Sequence, residues 1–439
     1  MKKIIILILM VAMLLPALPA MADNTRISGL YTYEIKGNGT VVITDFNWEE
    51  NEGDVFVPKM LDGYTVTAIG DFAFAPEKEF CLDGKRFRIS EGSGRNISVT
   101  IPDSIATIGE FAFYRSNIKD INIPVSVRSI GQGAFVCCRE ISFNIDPNHD
   151  VFAVISGTLY NKTTKELVFC PSGKVSIPEG IVSIGNYAFA ETYDTNDEVY
   201  WLRFELPSTI ASIGNFAFYE AAGIVYLPDN LQSIGDYAFA GTYKVENAIP
   251  DSVYQLGIGA FSNSANTEIV ITSNSGLREI PSYAFAEAIY EASISIDCSN
   301  IDTFGDYAFA GSSAISITNT LNIDRIGEWC FSDNAHRSLS FEFSPRITTI
   351  PAGFNMNATL LPDTIKRIEA FAYQYKVTDF YLPASLTYID EKAFFCTENL
   401  DNKNSSFVVE KGSYAETWAS ENGYPYSYSG QDNLDWLNN

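Results

Sequence analysis

A six-residue motif that recurs along the chain limits what this sequence can fold into. Its clearest copy, residues 234–239, reads Ile-Gly-Asp-Tyr-Ala-Phe. Ten copies begin at Ile69, Ile108, Ile130, Ile184, Ile213, Ile234, Leu256, Ile280, Phe304 and Ile326, and three looser copies begin at Ile350, Ile368 and Ile389. Most successive starts are 21 to 24 residues apart, and self-similarity at such a period is typical of a solenoid. The sequence therefore predicts 13 stacked units.

Eight of these units also carry an Ile-Pro or Leu-Pro pair six residues upstream of the motif, as at Leu227 and Pro228. The residues before the pair alternate between apolar and polar, which predicts a short strand. Proline has no N–H to give to a neighbouring strand, so it belongs at the strand's end. Each unit is predicted to contain a strand, a turn, an apolar crossing and a return.

The position after the first Ile of the motif holds Gly nine times, but also Pro281, Pro351, Glu369 and Asp390. Proline fixes φ near −65°, so this position does not require a positive φ. The residue that follows is often acidic or an amide, which the first turn of a helix favours. The motif thus predicts one short helical turn, with its Ala packed against the next unit and its Phe in the core. A ladder of aromatic rings can also serve as a ligand platform, but the regularity of the Phe favours core packing.

The first 22 residues have the features of a secretory signal peptide. Lys2 and Lys3 precede an apolar run over residues 4–15, and Ala-Met-Ala follows at 20–22. The mature chain is then expected to begin at Asp23. No later apolar run approaches the length that spans a bilayer, and no anchor is visible. The sequence predicts a secreted, extracellular or cell-surface protein.

The chain is strongly acidic, with 29 Lys and Arg against 54 Asp and Glu. Removal of Lys2 and Lys3 with the signal peptide leaves 27 − 54 = −27. Such a charge disfavours nucleic acids and anionic membranes as partners. The acids serve either solvation and capping or a preference for cationic partners.

The seven cysteines are irregularly spaced and include no metal-binding pattern. An odd, scattered set does not predict a disulfide framework. Cys330 occupies the Ala position of its unit, where a small buried side chain is expected.

The ends of the chain depart from the repeat. Residues 23–68 are predicted to form an N-terminal β cap, with strands at 31–35 and 40–44 joined by a hairpin. Residues 69–406 form the predicted solenoid, residues 407–428 a C-terminal strand-helix-strand cap, and residues 429–439 a tail. Ser413 and Glu416 have the spacing of a capping box at the start of that helix.

Three units carry insertions, at residues 75–100, 141–176 and 190–205. The first is rich in basic residues, the second predicts a β-hairpin, and the third combines acidic and aromatic residues. Insertions in repeat proteins map to loops on one face, which is often the binding face; the alternative is tolerated decoration. The candidate partner-binding residues are Arg86, Arg88, Arg95, Tyr193, Tyr200 and Trp201.

The combined pattern Ile-Pro-x-x-Ile-x-x-Ile-Gly-x-x-Ala-Phe resembles the BspA-like leucine-rich repeats of bacterial surface proteins. The resemblance covers residues 31–426, including the entry at 64–70 and the exit at 411–419. It implies an α/β fold: a right-handed leucine-rich-repeat horseshoe or rod with parallel strands. It also implies an adhesin that binds a protein partner, either a host matrix protein or another bacterial surface protein.

The sequence shows no constellation that predicts catalysis. Its two histidines, His149 and His336, lie in different units, and no zinc motif, Ser nucleophile elbow or phosphate loop is present. No catalytic residue, cofactor or metal ligand is therefore predicted. The acidic residues 194–198 lack an EF-hand layout, and a solvated loop is favoured over a Ca²⁺ site.

Three functions fit this sequence. The first is an exported, non-catalytic scaffold for protein binding and adhesion. The second is a structural spacer of a surface layer, and the third is a carbohydrate-active β-solenoid enzyme with paired carboxylates. An enzyme needs a cleft with two such groups, an adhesin needs an exposed aromatic or charged patch, and a spacer needs neither.

Overall fold

The computed structural model describes residues 24–51, 53–76, 97–171, 176–192, 202–246, 248–265, 268–288, 293–312, 315–332, 341–355, 361–375, 377–395 and 405–430. The chain divides into two compact units, one ending at Val154 and the other beginning at Ile155. The predicted signal peptide lies outside the described residues.

The first unit is made of parallel coils that follow an antiparallel start. Its strands are β1 Thr25–Ser28, β2 Tyr31–Ile35, β3 Thr40–Phe46, β4 Val55–Phe56, β5 Met60–Leu61, β6 Tyr64–Ile69, β7 Ile97–Thr100, β8 Thr107–Ile108, β9 Ile118–Ile123, β10 Ser129–Ile130, β11 Ser142–Ile145 and β12 Phe152–Ile155, which ends at the boundary. One sheet has the order β1-β2-β3-β6-β8-β10, and a second has the order β11-β9-β7-β4. The hairpin predicted near residues 37–39 is present, because β2 pairs antiparallel with β3.

The second unit repeats one coil many times. Its strands are β13 Thr158–Asn161, β14 Glu166–Phe169, β15 Ser183–Ile184, β16 Arg203–Glu205, β17 Ser212–Ile213, β18 Ile224–Tyr226, β19 Ser233–Ile234, β20 Lys244–Glu246, β21 Gln255–Leu256, β22 Glu268–Ile271, β23 Glu279–Ile280, β24 Ser293–Asp297, β25 Thr303–Phe304, β26 Ile315–Thr318, β27 Arg325–Ile326, β28 Thr349–Ile350, β29 Arg367–Ile368, β30 Phe380–Leu382, β31 Tyr388–Ile389, β32 Phe407–Val409 and β33 Tyr426–Tyr428. Helical structure among the described residues comprises α1, Tyr414–Glu421, and two 3-10 turns, Cys298–Asn300 and Thr320–Asn322.

Each coil of the second unit contributes to two kinds of parallel sheet. The long-strand sheets are β16-β18-β20, β22-β24-β26 and β30-β32-β33. Strands β16, β18, β20 and β30 precede or end at an Ile-Pro or Leu-Pro pair, whereas the sheet β22-β24-β26 belongs to coils without one. The short-strand sheets are built from two-residue strands that end at the first residue of the motif. They include β15-β17-β19-β21, β23-β25-β27 and β28-β29-β31. Apolar residues are in register on the inner side, as in the row Ile184, Ile213 and Ile234. The two kinds of sheet thus enclose one apolar interior.

Two prolines interrupt the short-strand sheets. In most coils the N–H that follows the motif's first residue donates to the carbonyl one coil back, as Gly235 N does to Ile213 O at 2.9 Å. Pro281 and Pro351 occupy this position and have no N–H. The sheets end at these two coils, between β21 and β23 and between β27 and β28. The prolines that the sequence predicted at a helix start therefore interrupt the hydrogen bonding between short strands.

The Gly-x-x-Ala-Phe segment is not helical, contrary to the prediction. Tyr237, in its middle, has a left-handed backbone with φ of 52°. Its N–H and that of Phe239 donate to the next coil, to Ile258 O and Ala260 O, at 2.8 Å each. In an α-helix these N–H groups would donate to carbonyls four residues earlier in the sequence, whereas here they donate to carbonyls of the next coil. We call this segment the Ala-Phe turn.

The motif phenylalanines form the predicted internal column. In the second unit the rings of Phe189, Phe218, Phe239, Phe261, Phe285, Phe309 and Phe331 stack in sequence with centroids 4.9 to 5.7 Å apart. The described chain is a solenoid of stacked coils with about 15 turns over its two units, so the count of 13 is not confirmed. Cys330 is fully buried in its Ala position, as predicted.

Helix α1 and strand β33 complete the second unit. Half of the predicted capping box is present, since the N-cap Ser413 accepts from Glu416 N at 3.1 Å. The Glu416 carboxylate accepts from Gly412 N at 2.5 Å, one residue before the N-cap, instead of from Ser413 N. Trp418 packs its ring beside Phe407 and Tyr424. The helix therefore covers aromatic core residues of the final coils.

Candidate partner-binding surfaces

The six candidate binding residues, Arg86, Arg88, Arg95, Tyr193, Tyr200 and Trp201, lie outside the described residues, and so does His336. The described residues that flank the first and the third insertion nevertheless show where each insertion joins its coil. Ile97 is buried, begins β7, and donates its N–H to Asn117 O at 3.3 Å. The first insertion therefore enters a long strand of its unit.

The third insertion is anchored at both ends by one short stretch of the next coil. Ala222 N donates to Thr192 O, and Ile224 N donates to Leu202 O, each at 2.8 Å. Residues 193–201 therefore connect two points that the next coil connects with Gly223 alone. A Cβ at Gly223 would lie 2.8 Å from Leu202 O, so the two coils are in close contact at this position.

Leu202 leads directly into β16, and the outward face of the β16-β18-β20 sheet begins beside the insertion. Arg203 is in register with Ile224 and Lys244 on this face. Arg203 Nη1 donates to Tyr226 Oη at 3.3 Å, and Lys244 pairs with Glu246 at 2.7 Å. Because exposed pairs of this kind add little to stability, these side chains are available for contact with a partner.

A second row of aromatic rings lies outside the phenylalanine column. It consists of the left-handed residues of successive Ala-Phe turns, which we call the aromatic stripe: Tyr187, Phe216, Tyr237, Tyr283, Tyr307 and Trp329. Tyr187, Phe216 and Tyr237 stack with centroids 4.9 and 5.2 Å apart. Tyr283, Tyr307 and Trp329 stack in the same way, at 5.0 and 6.5 Å. Most of these rings are partly exposed, so the stripe forms part of the surface.

Carboxylates accompany the tyrosines of the stripe. Partial burial raises the pKa of Tyr237, with Tyr283 and Asp236 adding to the effect. Burial likewise raises the pKa of Tyr283, helped by Tyr307 and Asp306. The hydroxyls therefore stay protonated well above neutral pH and offer donors along an acidic border.

Sequence reasoning missed this stripe because it treated the two residues before Ala-Phe as variable. A signal was present, since the second of them is aromatic in most copies of the motif. The same position holds Phe72 and Phe111 in the first unit, whose rings stack 5.1 Å apart.

A groove of about 330 Å³ opens at Pro351, where the short-strand sheet stops. Its lining includes Arg325, Asp306, Glu328 and Glu369. Asp306 Oδ1 accepts from Glu328 N at 3.0 Å, and Glu369 Oε1 accepts from Arg367 Nε at 3.0 Å. A glycosidase uses a pair of carboxyl groups on either side of the scissile bond; here Asp306 and Glu369 each have one oxygen bonded to a neighbouring protein group.

His149 is a structural residue. It is fully buried, with Nε2 lying 3.2 Å from Pro124 O. Its Nδ1 accepts from Val151 N and Phe152 N at 3.1 and 3.2 Å. Both ring nitrogens are thus occupied by backbone groups, and neither faces a substrate site.

Most of the described cysteines are enclosed. Cys138, Cys170, Cys298 and Cys330 are buried, and Cys137 is partly exposed. Burial raises the pKa of the Cys138 thiol to about 12 and that of Cys298 to about 12, so these thiols are protonated and unreactive at neutral pH. In the described part of the chain, no three His, Cys, Asp or Glu side chains are grouped to hold a metal ion. No described helix is long and apolar enough to cross a membrane.

The fold is similar to several solved bacterial structures at low sequence identity. A leucine rich cell surface protein from Faecalibacterium prausnitzii is 19% identical, with 95% of this chain and 97% of that one covered and a TM-score of 0.36. A leucine-rich repeat protein from Bacteroides ovatus is 18% identical over 93% and 100% of the two chains, with a TM-score of 0.34. The pneumococcal vaccine antigen PcpA is 14% identical over 93% and 100%, with a TM-score of 0.32. At these TM-scores the similarities carry no functional argument. No curated protein matches the chain.

The sequence itself matches a repeat family over most of its length. The BspA type leucine rich repeat region matches in six copies, over residues 91–193, 165–226, 201–291, 222–342 and 340–415. Together these segments span residues 91–415, and they include the Ala-Phe turns, the phenylalanine column and the short strands described above. The chain belongs to the BspA-type leucine-rich repeat family.

Proposed function

We propose that this chain is an exported, non-catalytic scaffold that binds another protein at or near the cell surface. The observation that carries the proposal is that each coil separates its repeated residues from its variable ones. The repeated Ile, Ala and Phe are buried in the core, whereas the residues that vary between coils lie on the sheet faces and the stripe. A spacer has no use for exposed, chemically distinct rows of this kind, while a binding protein requires them.

The proposed contact surface is the β16-β18-β20 face together with residues 193–201. Arg203, Tyr226 and Lys244 supply a planar cation, an aromatic ring and a flexible cation on neighbouring strands. Arg and Tyr are enriched at protein interfaces because they combine apolar contact with hydrogen bonding. The insertion begins after Thr192 and ends before Leu202, at the edge of this face, which supports assigning its aromatic residues to the same proposed contact surface. Arg86, Arg88 and Arg95 remain a second proposed region.

The experiment uses the next coil as a template for removing the insertion. Residues 193–201 are replaced by one glycine, which reproduces the path from Ala222 to Ile224. The full chain and this variant are compared by surface plasmon resonance against a panel of host matrix proteins and against co-resident bacteria. We expect at least one partner, and a loss of tenfold or more in its affinity for the variant.

Tyr254→Ser is the matched control, because Tyr254 is 60% exposed but lies outside the proposed face. Equal binding by the full chain and the shortened variant would move the contact surface elsewhere. A chain that binds no member of the panel would favour the spacer, and release of reducing ends from a polysaccharide would favour the enzyme.

A further inference from the structure

Between Tyr237 and Tyr283 of the aromatic stripe, Gly259 takes the place of an aromatic residue. Gly133 and Gly353 hold the same left-handed position in two other coils, beside Phe111 and Trp329. Gly259 has φ of 61°, so it occupies the same left-handed position as the tyrosines on either side. Tyr237 belongs to the coil before it and Tyr283 to the coil after it. The ring of Tyr237 lies against Gly259, so close that a Cβ at residue 259 would collide with it. Tyr237 and Tyr283 share no ring contact, although both are described.

Gly259 leaves one ring of the stripe stacked on a single face. Within a stack each ring is covered on both faces, as Tyr307 is by Tyr283 and Trp329. Tyr283 is stacked on its Tyr307 side only, and its side chain is 40% exposed. On its Gly259 side, Tyr283 has no stacked ring from the preceding coil, because residue 259 has no side chain. We call the space bounded by Tyr237, Gly259 and Tyr283 the notch.

The residue beside the notch also departs from the repeat. Ile258 stands where the preceding coils have Asn215 and Asp236, and it is 44% exposed. Asp236 Oδ1 accepts from Ile258 N at 2.8 Å, which places this carboxylate next to Gly259. The notch thus combines an aromatic ring stacked on one face only, an exposed apolar side chain and a carboxylate.

We infer that the notch binds an arginine side chain of the protein partner, an inference that rests on the proposed function. The guanidinium group is planar and cationic, so it can stack on Tyr283 while donating hydrogen bonds to Asp236. The arginine's methylene groups would lie against Ile258. Asp306, which also acts on Tyr283, adds negative charge on the far side.

The same chemistry disfavours other occupants. A lysine ammonium is a compact, strongly hydrated charge that cannot stack as a plane. An aromatic side chain would stack equally well but would leave the neighbouring carboxylates without a counter-charge. A free carboxylate or phosphate would be repelled by a surface whose formal net charge is −25 for the whole chain.

The test uses two small probes with the full chain: the peptides acetyl-Gly-Arg-Gly-amide and acetyl-Gly-Lys-Gly-amide. Their affinities are measured by saturation-transfer NMR at low salt. We expect the arginine peptide to bind more tightly than the lysine peptide. Tyr283→Leu is expected to weaken arginine binding by about threefold or more, the range of a cation–π contact, while Tyr254→Leu leaves it unchanged.

A second variant keeps the test valid if Tyr283→Leu unfolds. Gly259→Tyr introduces a ring at a position where Tyr187, Tyr237, Tyr283 and Tyr307 already carry one at left-handed φ. The new ring displaces that of Tyr237 from Gly259 and occupies the notch, so the variant should abolish the preference for arginine. Equal affinities of the two peptides, or an arginine affinity unchanged in both variants, would overturn the inference. Because no partner protein is used, peptide binding can succeed where the proposed function fails. If a partner binds the chain but the arginine peptide does not, the inference alone is lost.

Discussion

The carboxylate of Asp236 accepts a hydrogen bond at 2.8 Å from the backbone N–H of Ile258, the residue that holds its position one coil later. The same relationship links Asn186 Oδ1 to Asn215 N and Asn215 Oδ1 to Asp236 N, at 2.7 and 2.8 Å. The position after the motif's second residue is polar because the next coil needs an acceptor there. No helix dipole is involved, since the segment is not helical.

Loss of one rung of this ladder should destabilise the second unit modestly. Asn215→Ala removes the acceptor for Asp236 N and is expected to lower the free energy of unfolding by about 1 kcal/mol. Asn215→Asp keeps an acceptor oxygen and should cost less. Urea unfolding followed by circular dichroism measures both, and an alanine variant as stable as the parent would show that water replaces the side chain.

Truncation within the phenylalanine column should have a much larger effect. Phe239 is fully buried between Phe218 and Phe261, with centroids 5.3 and 5.2 Å away. Phe239→Ala is expected to lower the free energy of unfolding by about 3–5 kcal/mol, and Phe239→Leu by less. Tyr254→Ala, at a 60% exposed position, should change it by no more than about 0.5 kcal/mol. Similar thermal midpoints for the Phe239 and Tyr254 alanine variants would contradict the shared column.

Proline at position 351 should be the cause of the break in the short-strand sheet. Pro351→Ala supplies an N–H directed at Ile326 O, so the amide of residue 351 is expected to become protected from hydrogen exchange. The reference is Glu369 in the next coil, whose N–H donates to Ile350 O at 3.0 Å. Exchange of the new amide at the rate of an unstructured peptide would assign the break to another cause.

The cap at α1 should weaken in acid. Tyr428 Oη donates to Glu416 Oε1 at 2.6 Å, and this bond with that from Gly412 N holds the pKa of Glu416 below its ordinary value of 4.5. A carboxyl whose pKa is lowered by folding stabilises the protein above its unfolded pKa. The contribution is therefore lost as pH falls below 4.5 and passes through the folded pKa.

Glu416→Gln should remove this part of the pH dependence. Thermal midpoints of the parent and the variant would converge in acid and differ at neutral pH, where the parent is more stable. Tyr428→Phe removes only the hydroxyl that donates to Glu416 and should reduce the pH dependence in the same direction. Parallel pH profiles for the parent and Glu416→Gln would contradict this role of Glu416.

Much of the fold was predictable from the repeat alone. A period near that of one coil, with Ile, Ala and Phe at constant spacing, leaves stacking as the way to bury those side chains. The burial of Phe239, the strand before Leu227 and the N-cap at Ser413 all follow from local pattern. These features depend on residues close in sequence, so they can be inferred without coordinates.

Other features depended on contacts between coils. The left-handed turn at Tyr237, the ladder from Asp236 and the breaks at Pro281 and Pro351 arise because each backbone donor is satisfied one coil away. The unstacked side of Tyr283 arises in the same way, since Gly259 leaves it without a ring from the preceding coil. The repeat pattern is enough to infer that the chain stacks and which residues are buried. Which side chains of neighbouring coils meet at the surface depends on the hydrogen-bond register between coils, and the spacing of residues along the chain does not contain that register.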